Sequence, residues 1–496
     1  MINFTPVVRP YFLRRADALR RYAGHTEVLQ RAELERMLRM AEHTLWGERY
    51  GFARINSYEE FAARVPVTDY TELRPYVMRM IAGERDILWR GVTRCFAQSS
   101  GTSDGKSKYI PITRESFKRS HYRGGSDVIS LYLSLYPDSR LFAGKSFILG
   151  GSFANELPDV VPSGVTVGDL SANLIANINP VANMVRIPDK HTALMEHWEE
   201  KLPALVKAAA NADVTNISGV PSWFLTVLRR LLEYTGAEHI HQVWRNLEVF
   251  FHGGISFAPY REPYDAIINP ERMRYLETYN ASEGFFAIQD TIESKAMLLL
   301  LDAGTFYEFV DISNPTAEPI PAWRVKQGGI YAMLITSCNG LWRYPIGDTV
   351  KIESVEPLRI TIAGRTKHFI NAFGEEVMVH NTDAAVAEAC RQTGARVLNY
   401  TVAPVFTAAR TKGRHQWLIE FHTLPADIDD FANRLDAALC SVNSDYQAKR
   451  SGSIFLDRLS ITVAREGLFD RWLGSTGKLG GQRKVPRLSN DRTIMD

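Results

Sequence analysis

Between residues 92 and 113 the chain must turn back on itself without entering a helix. Val92–Ala97 reads as a short strand. Ser99-Ser100-Gly101-Thr102-Ser103-Asp104-Gly105-Lys106-Ser107 then crowds glycines and hydroxyl residues into one loop. Lys108-Tyr109-Ile110-Pro111-Ile112-Thr113 follows, rich in β-branched residues and carrying a proline, so it reads as a second strand. Gly101–Ser107 spells G-x-x-x-G-K-S, one residue short of the phosphate loop that opens a helix. The loop therefore closes a hairpin. Its backbone N–H groups and hydroxyls can face phosphate oxygens, with Lys106 and Lys108 supplying charge.

Composition narrows the function classes. The 496 residues allow two or more domains, and 45% hydrophobic with 23% charged residues is ordinary for a soluble protein. A formal net charge of +2 offers no bulk attraction to nucleic acid. Cys95, Cys338, Cys390 and Cys440 form no C-x-x-C pair, which fits a reducing compartment. No apolar run approaches the roughly 18 residues of a membrane span. Met1–Arg21 is Arg-rich and lacks an apolar signal core, so a surface-packed helix and a cytoplasmic protein are expected.

Along the chain, residues 1–90 read as helices, with Ser57 and either Thr68 or Asp69 as N-caps. Helices are expected over 114–135 and 191–210, an apolar strand over 141–151, and irregular chain over 152–190. Strands are expected over Val214–Gly219, Leu247–Phe251, Arg274–Thr278 and Gly329–Thr336. The alternation indicates an α/β architecture. Beyond 365 the pattern is a small α+β unit with helices over 383–393 and 428–443.

Several positions carry chemistry. Gly253-Gly254 after a buried strand lets backbone approach a flat ligand, and the nearby Ser256 lies in strand context, unlike the serine of a carrier domain. Tyr279-Asn280-Ala281-Ser282-Glu283 ends a strand with an aromatic for a base and a carboxylate for magnesium. Asp348, after Gly347, can accept from two ribose hydroxyls. Arg365 can add a guanidinium on the ribose or phosphate side, and Gly364 can serve as a hinge. Trp223, Phe224 and the helix from Ser126 can line an acyl pocket.

The order of these motifs resembles the auxin-responsive-promoter acyl-acid amido synthetases, the GH3 family of the adenylate-forming superfamily. The residues that carry the resemblance are Ser99–Ser103 with Gly105, Lys108, Ile110-Pro111 and Thr113; Tyr279–Glu283; and Tyr344 with Gly347-Asp348. Phe61, Val65-Pro66-Val67, Tyr70 and Gly219–Trp223 add to it. Pro345-Ile346 puts one residue more between Arg343 and Gly347 than some members have, and the plant acyl-pocket residues do not transfer.

The resemblance implies an adenylate-forming fold: a large N-terminal domain, 1–363, holding ATP and acyl acid, and a small mobile C-terminal domain, 364–496. It implies ATP and Mg2+, small-molecule acid and amine substrates, and no nucleic acid, membrane or carrier-protein partner. The ATP site would comprise Ser99, Ser100, Gly101, Thr102, Ser103, Gly105, Lys108, Gly253, Gly254, Tyr279–Glu283, Asp348 and Arg365. Lys108 and Glu283 would act in catalysis, Glu283 on the metal. The C-terminal tail resembles the family's, which makes Lys484, then Lys478, the lysine brought to the adenylate. The competing classes are a thioester-forming acyl-CoA ligase, a phosphate-loop ATPase or kinase releasing ADP, and a nucleotide-binding scaffold without turnover.

Overall fold

The computed structural model describes residues 3–99, 107–155, 157, 161–255, 257, 260–365, 369–407, 412–453, 455–475, 486–490, 492 and 495. The expected hairpin is present: Cys95–Ser99 pairs antiparallel with Lys108–Ile112, Ser99 opposite Lys108. Thr166–Gly168 adds a third, parallel strand.

The large sheet has twelve strands. Its order is Ile320–Pro321, Thr305–Asp311, Ile330–Ser337, Leu341–Val355, Leu358–Arg365, Met297–Leu299, Gly284–Gln289, Arg274–Ala281, Val249–His252, Val214–Gly219, Lys145–Ile148, Arg186–Ile187. The strands from Arg186–Ile187 to Arg274–Ala281 are parallel, and those beyond it antiparallel. Chain connectivity gives the reason. Helices such as Pro221–Thr235 return the chain between parallel strands, whereas Ser282-Glu283 is a tight turn that reverses it. Arg274–Ala281 is therefore the strand at which the sheet changes sense.

Local signals were largely obeyed. Asp69 and Glu72 form a reciprocal capping box, Ser57 accepts from the Glu60 N–H, and Pro221 opens its helix. The Arg-rich start is a helix, Thr5–Arg20, pinned by Arg15, which donates to Asp127 at 2.8 Å and to Asp302 at 2.7 Å.

Other expectations change. The helical stretch from Arg114 to Leu135 contains a π turn, Phe117–His121. The apolar strand expected over 141–151 is only Lys145–Ile148. Residues 152–190 are not irregular throughout: Thr166–Gly168, Leu170–Ala176, Pro180–Met184 and Arg186–Ile187 are regular. There, polar residues serve the fold: Asn173 Nδ2 donates to the Phe96 carbonyl at 3.1 Å, and its Oδ1 accepts from Thr166 at 3.0 Å. The helix expected over 191–210 is broken between Leu194 and Trp198. The strand starting at Arg274 runs on to Ala281, so Tyr279–Ala281 lie in the sheet.

A separate core gathers Ile370, Phe373, Trp417, Leu435 and Leu488 around the sheet Arg396–Phe406, Gly413–Thr423, Ser460–Val463. Gly364, expected to open this unit, still pairs with Thr349, and its strand ends at Arg365. No helix among the described residues is long and apolar enough to cross a membrane.

Candidate active site

Three adjacent parallel strands end at glycines: Gly150-Gly151 and Gly253-Gly254 come just after two of them, and Gly219 is the last residue of the strand between. In open α/β sheets, ligands bind in the crevice outside this carboxyl edge. Gly253 shows why no side chain is tolerated there. A Cβ would fall 2.4 Å from the Thr278 carbonyl oxygen and 2.8 Å from Thr278 Oγ1. Gly254 adopts φ +83°.

Tyr279 and Asp348 meet here. The Tyr279 hydroxyl donates to Asp348 Oδ2 at 2.6 Å, with both residues buried. Their strands are separated by three others in the sheet order. At a spacing of about 4.8 Å per strand a flat sheet would hold them some 19 Å apart. The antiparallel half therefore curls back on the switch strand. The Tyr279 ring packs on Phe286 at 5.1 Å.

The third motif reaches inward through a bulge. Ala332 pairs with Thr349, but Leu334 pairs with Pro345, so Ile346-Gly347-Asp348 stand opposite Met333 alone. Gly347 takes φ +93°. Bulges re-aim side chains in this way next to sites. Asp348 lies inside the 15-residue strand Leu341–Val355, facing Arg365 in register on the other side. Arg343 is left-handed at φ +46° and is held by a buried pair with Glu308 at 2.9 Å. It also donates to the Ala62 and Val65 carbonyls, both at 2.8 Å.

The hairpin joins the same strand. Lys108 Nζ donates to the Tyr344 hydroxyl at 2.9 Å, beside the rings of Tyr344 and Tyr70 at 5.5 and 5.9 Å. The Tyr109 N–H donates to the Tyr70 hydroxyl. One turn ties the motifs together. Thr113 donates to the Cys338 carbonyl at 2.6 Å, and Asn339 Nδ2 donates to the Glu283 carbonyl at 2.8 Å. Asn339 is 1% exposed and carries no chemistry in its sequence neighbourhood that would have singled it out. Its role comes only from the tertiary contact.

Glu283 is buried at the turn after the switch strand. Among the described residues no cluster of three or more metal-ligating side chains exists. A single carboxylate nevertheless fits magnesium, which keeps water and phosphate ligands and needs only one or two carboxylates.

Not every expected residue joins this group. Phe224 is a core residue, fully buried against Phe147 at 5.3 Å and Phe250 at 5.4 Å, so it does not present a pocket wall as expected. Ser126 lies on the helix Tyr122–Leu135, its carbonyl accepting from Ser130. Trp223 faces the C-terminal unit. Asn280, Ala281 and Ser282 lie at the end of the switch strand and its turn. Ser99 ends the first hairpin strand. Ser100, Gly101, Thr102, Ser103, Gly105, Lys106, Ser256, Lys478 and Lys484 lie outside the described residues, as does the Arg365 side chain.

Three family models match in succession: the GH3 family N-terminal domain over residues 15–273, the central domain over 298–365 and the C-terminal domain over 380–493. The chain belongs to the GH3 family. An indole-3-acetic acid-amido synthetase of Arabidopsis thaliana is 22% identical over 521 residues, covering 88% of this chain and 87% of the relative. A jasmonoyl–L-amino acid synthetase of Oryza sativa subsp. japonica is 22% identical over 555 residues, covering 93% and 92%. Among solved structures, an acyl acid amido synthetase in complex with 2,4-DB superposes with TM-score 0.64 at 17% identity, over 100% of this chain and 96% of the other. A 2-hydroxyisobutyryl-CoA ligase gives TM-score 0.60 at 14% identity, over 95% and 91%. The fold is that of the adenylate-forming ligases.

Proposed function

We propose that this GH3-family chain is an ATP-dependent ligase that joins a carboxylic acid to an amine, an amino acid in the first instance. The observation that supports it most is the Tyr279–Asp348 hydrogen bond, which brings two widely separated motifs to one strand edge. In the first step a carboxylate oxygen attacks the α-phosphorus of ATP, and pyrophosphate leaves. In the second the amine nitrogen attacks the acyl carbon, AMP leaves, and the amine loses its proton.

In this reading Asp348, oriented by Tyr279, accepts from the ribose hydroxyls. Lys108, held by Tyr344, faces the phosphoryl oxygens on which charge builds, with the Ser99–Gly105 loop supplying N–H groups. Glu283 would hold magnesium, which neutralises phosphate charge. Gly253-Gly254 admit the flat base, Arg365 adds charge beside the ribose, and Lys484 or Lys478 comes from a small domain that rotates after residue 363. A free amine, rather than coenzyme A or a carrier protein, accepts the acyl group, and the enzyme works in the cytoplasm.

The test is acid-dependent exchange of labelled pyrophosphate into ATP, followed by product analysis with amino acids and with coenzyme A. Exchange, AMP and amide are expected. ADP as the nucleotide product would overturn the adenylation reading; acyl-thioester without amide from any amine would overturn the choice of acceptor.

A further inference from the structure

The large domain and the C-terminal unit meet at the ends of the strands Lys145–Ile148 and Val214–Gly219. Trp223, in the first turn of the helix Pro221–Thr235, presents its ring to Lys449 of the helix Ser444–Arg450, with Nζ 4.0 Å from the ring centroid. Phe455 lies 5.7 Å from the same Nζ. Trp198 packs on Phe455 at 5.2 Å and on Trp223 at 6.1 Å. One large-domain indole and one small-domain phenyl ring thus flank a small-domain ammonium, with Trp198 packed on both rings, and Lys449 is 7% exposed.

The carboxylates acting on Lys449 are Asp445, Asp169, Glu375 and Glu376, and only Asp169 belongs to the large domain. Asp169 is seated on the glycine turn: a Cβ on Gly151 would fall 1.7 Å from its Oδ2, which accepts from the Ser152 N–H at 2.8 Å. Lys201 Nζ donates to the Gly150 and Gly151 carbonyls at 2.6 and 3.2 Å, fixing that turn. A second tie lies alongside, where the Tyr260 hydroxyl donates to the Ala372 carbonyl at 2.6 Å.

Burying an ammonium sacrifices its hydration, and ring faces with a carboxylate nearby return much of that loss. The balance is small, so such a contact can hold one orientation without making it permanent. We propose that Lys449 is a positioning residue: seated against the Trp223 ring of the large domain, it holds the small domain in the orientation seen here and must leave this socket when the domain turns for the other half-reaction. The inference rests on the two-step reading above.

Lys449→Met keeps the aliphatic stem and removes the charge, whereas Lys449→Arg keeps a cation for the rings. Pyrophosphate exchange and single-turnover amide formation are measured on the full chain. Lys449→Met should slow one of the two by about five- to thirtyfold and leave the other within about twofold, with Lys449→Arg restoring most of the loss. Equal losses in both steps, or no change in either, would overturn the proposal. Hydrogen exchange is followed in the same preparations. Faster exchange at both 221–226 and 372–376 in Lys449→Met, with 396–406 unaltered, is expected; unaltered exchange at both faces would count decisively against it. If the wild-type chain shows neither activity, the two-step reading fails, and the exchange measurement alone judges the clasp.

Discussion

Acidification should weaken the large domain through two buried histidines, His121 on the π turn and His252 at the end of Val249–His252. Each is 4% exposed. His121 Nε2 and His252 Nδ1 have no hydrogen-bond partner among the described residues. Burial pushes His121 down to about 4; burial, then the charge of Arg261, pushes His252 down to about 3. Both start from 6.5 in the unfolded chain. Between those values the unfolded chain binds the extra protons. The stabilisation is therefore complete above about pH 6.5 and drains away as pH falls toward the folded values. At 1.36 kcal/mol per pH unit, going from 6.5 to 5 costs about 2 kcal/mol for each histidine. Glu308, Asp127, Asp169 and Glu277, raised chiefly by burial, have the opposite sign, so the useful quantity is a difference between proteins. His252→Phe suits the site, since the imidazole already stacks on Phe257 at 4.4 Å. Urea unfolding followed by fluorescence at pH 7, 6 and 5 should show the variant gaining on the wild type by about 2 kcal/mol across the window, and His121→Met likewise. A gap that stays constant with pH would mean that water or a proton acceptor reaches these rings, and the argument from burial would fall.

Three further outcomes test the site. Asp348→Ala should weaken ATP binding by about 1.5–3 kcal/mol, the worth of hydrogen bonds to a charged group, and acid binding by less; an unchanged nucleotide Kd in calorimetry removes Asp348 from the ribose. Glu283→Gln should move the magnesium titration of pyrophosphate exchange to higher concentration, whereas superimposable titrations would discount it as a ligand. Gly253→Ala places a methyl group 2.4 Å from a backbone carbonyl that cannot swing aside, so nucleotide binding should be lost in calorimetry, and wild-type affinity would refute the close approach.

How much of this was readable beforehand depended on the range of the interaction. The hairpin followed from residues next to each other: Pro111 and the β-branched run exclude a helix after the loop, and Ser99 does pair with Lys108. The α/β alternation and the helices of the C-terminal unit were legible for the same reason, being local periodicities. Residues 152–190 misled because Asn and Ser look alike in a loop and in a buried cap; only the contact with the Phe96 carbonyl distinguishes Asn173. Phe224 misled in the other direction, since an aromatic at a helix start gives no sign of which face the core will take. Asn339, Tyr344 and Lys449 act through partners about 56, 236 and 226 residues away in sequence, and no window of neighbouring residues contains those distances.

The bulge at Ile346–Asp348 explains how three motifs remote in sequence come to share one site. In an unbroken strand Tyr344 and Asp348 would project from one face, about 13 Å apart, and would serve the same neighbour. Here they serve different ones: Tyr344 meets Lys108 of the hairpin, and Asp348 meets Tyr279 of the switch strand. The extra residues, with Gly347 at φ +93°, turn the strand between the two contacts. The left-handed Arg343 just before them has its own cost, about 1–2 kcal/mol for a residue with a Cβ. Glu308 and the Ala62 and Val65 carbonyls offset it by fixing the guanidinium from three sides. The helix Tyr58–Arg64 is thereby joined to the strand that aims Asp348. Because losing Arg343 would leave the Glu308 carboxylate buried without its cationic partner, Arg343→Met should cost about 3–5 kcal/mol in urea unfolding. The double change Arg343→Met with Glu308→Leu should recover much of that stability but not nucleotide affinity, since the strand would lose the kink that aims the carboxylate. Full recovery of both in the double variant would show that the bulge is set by the sheet alone.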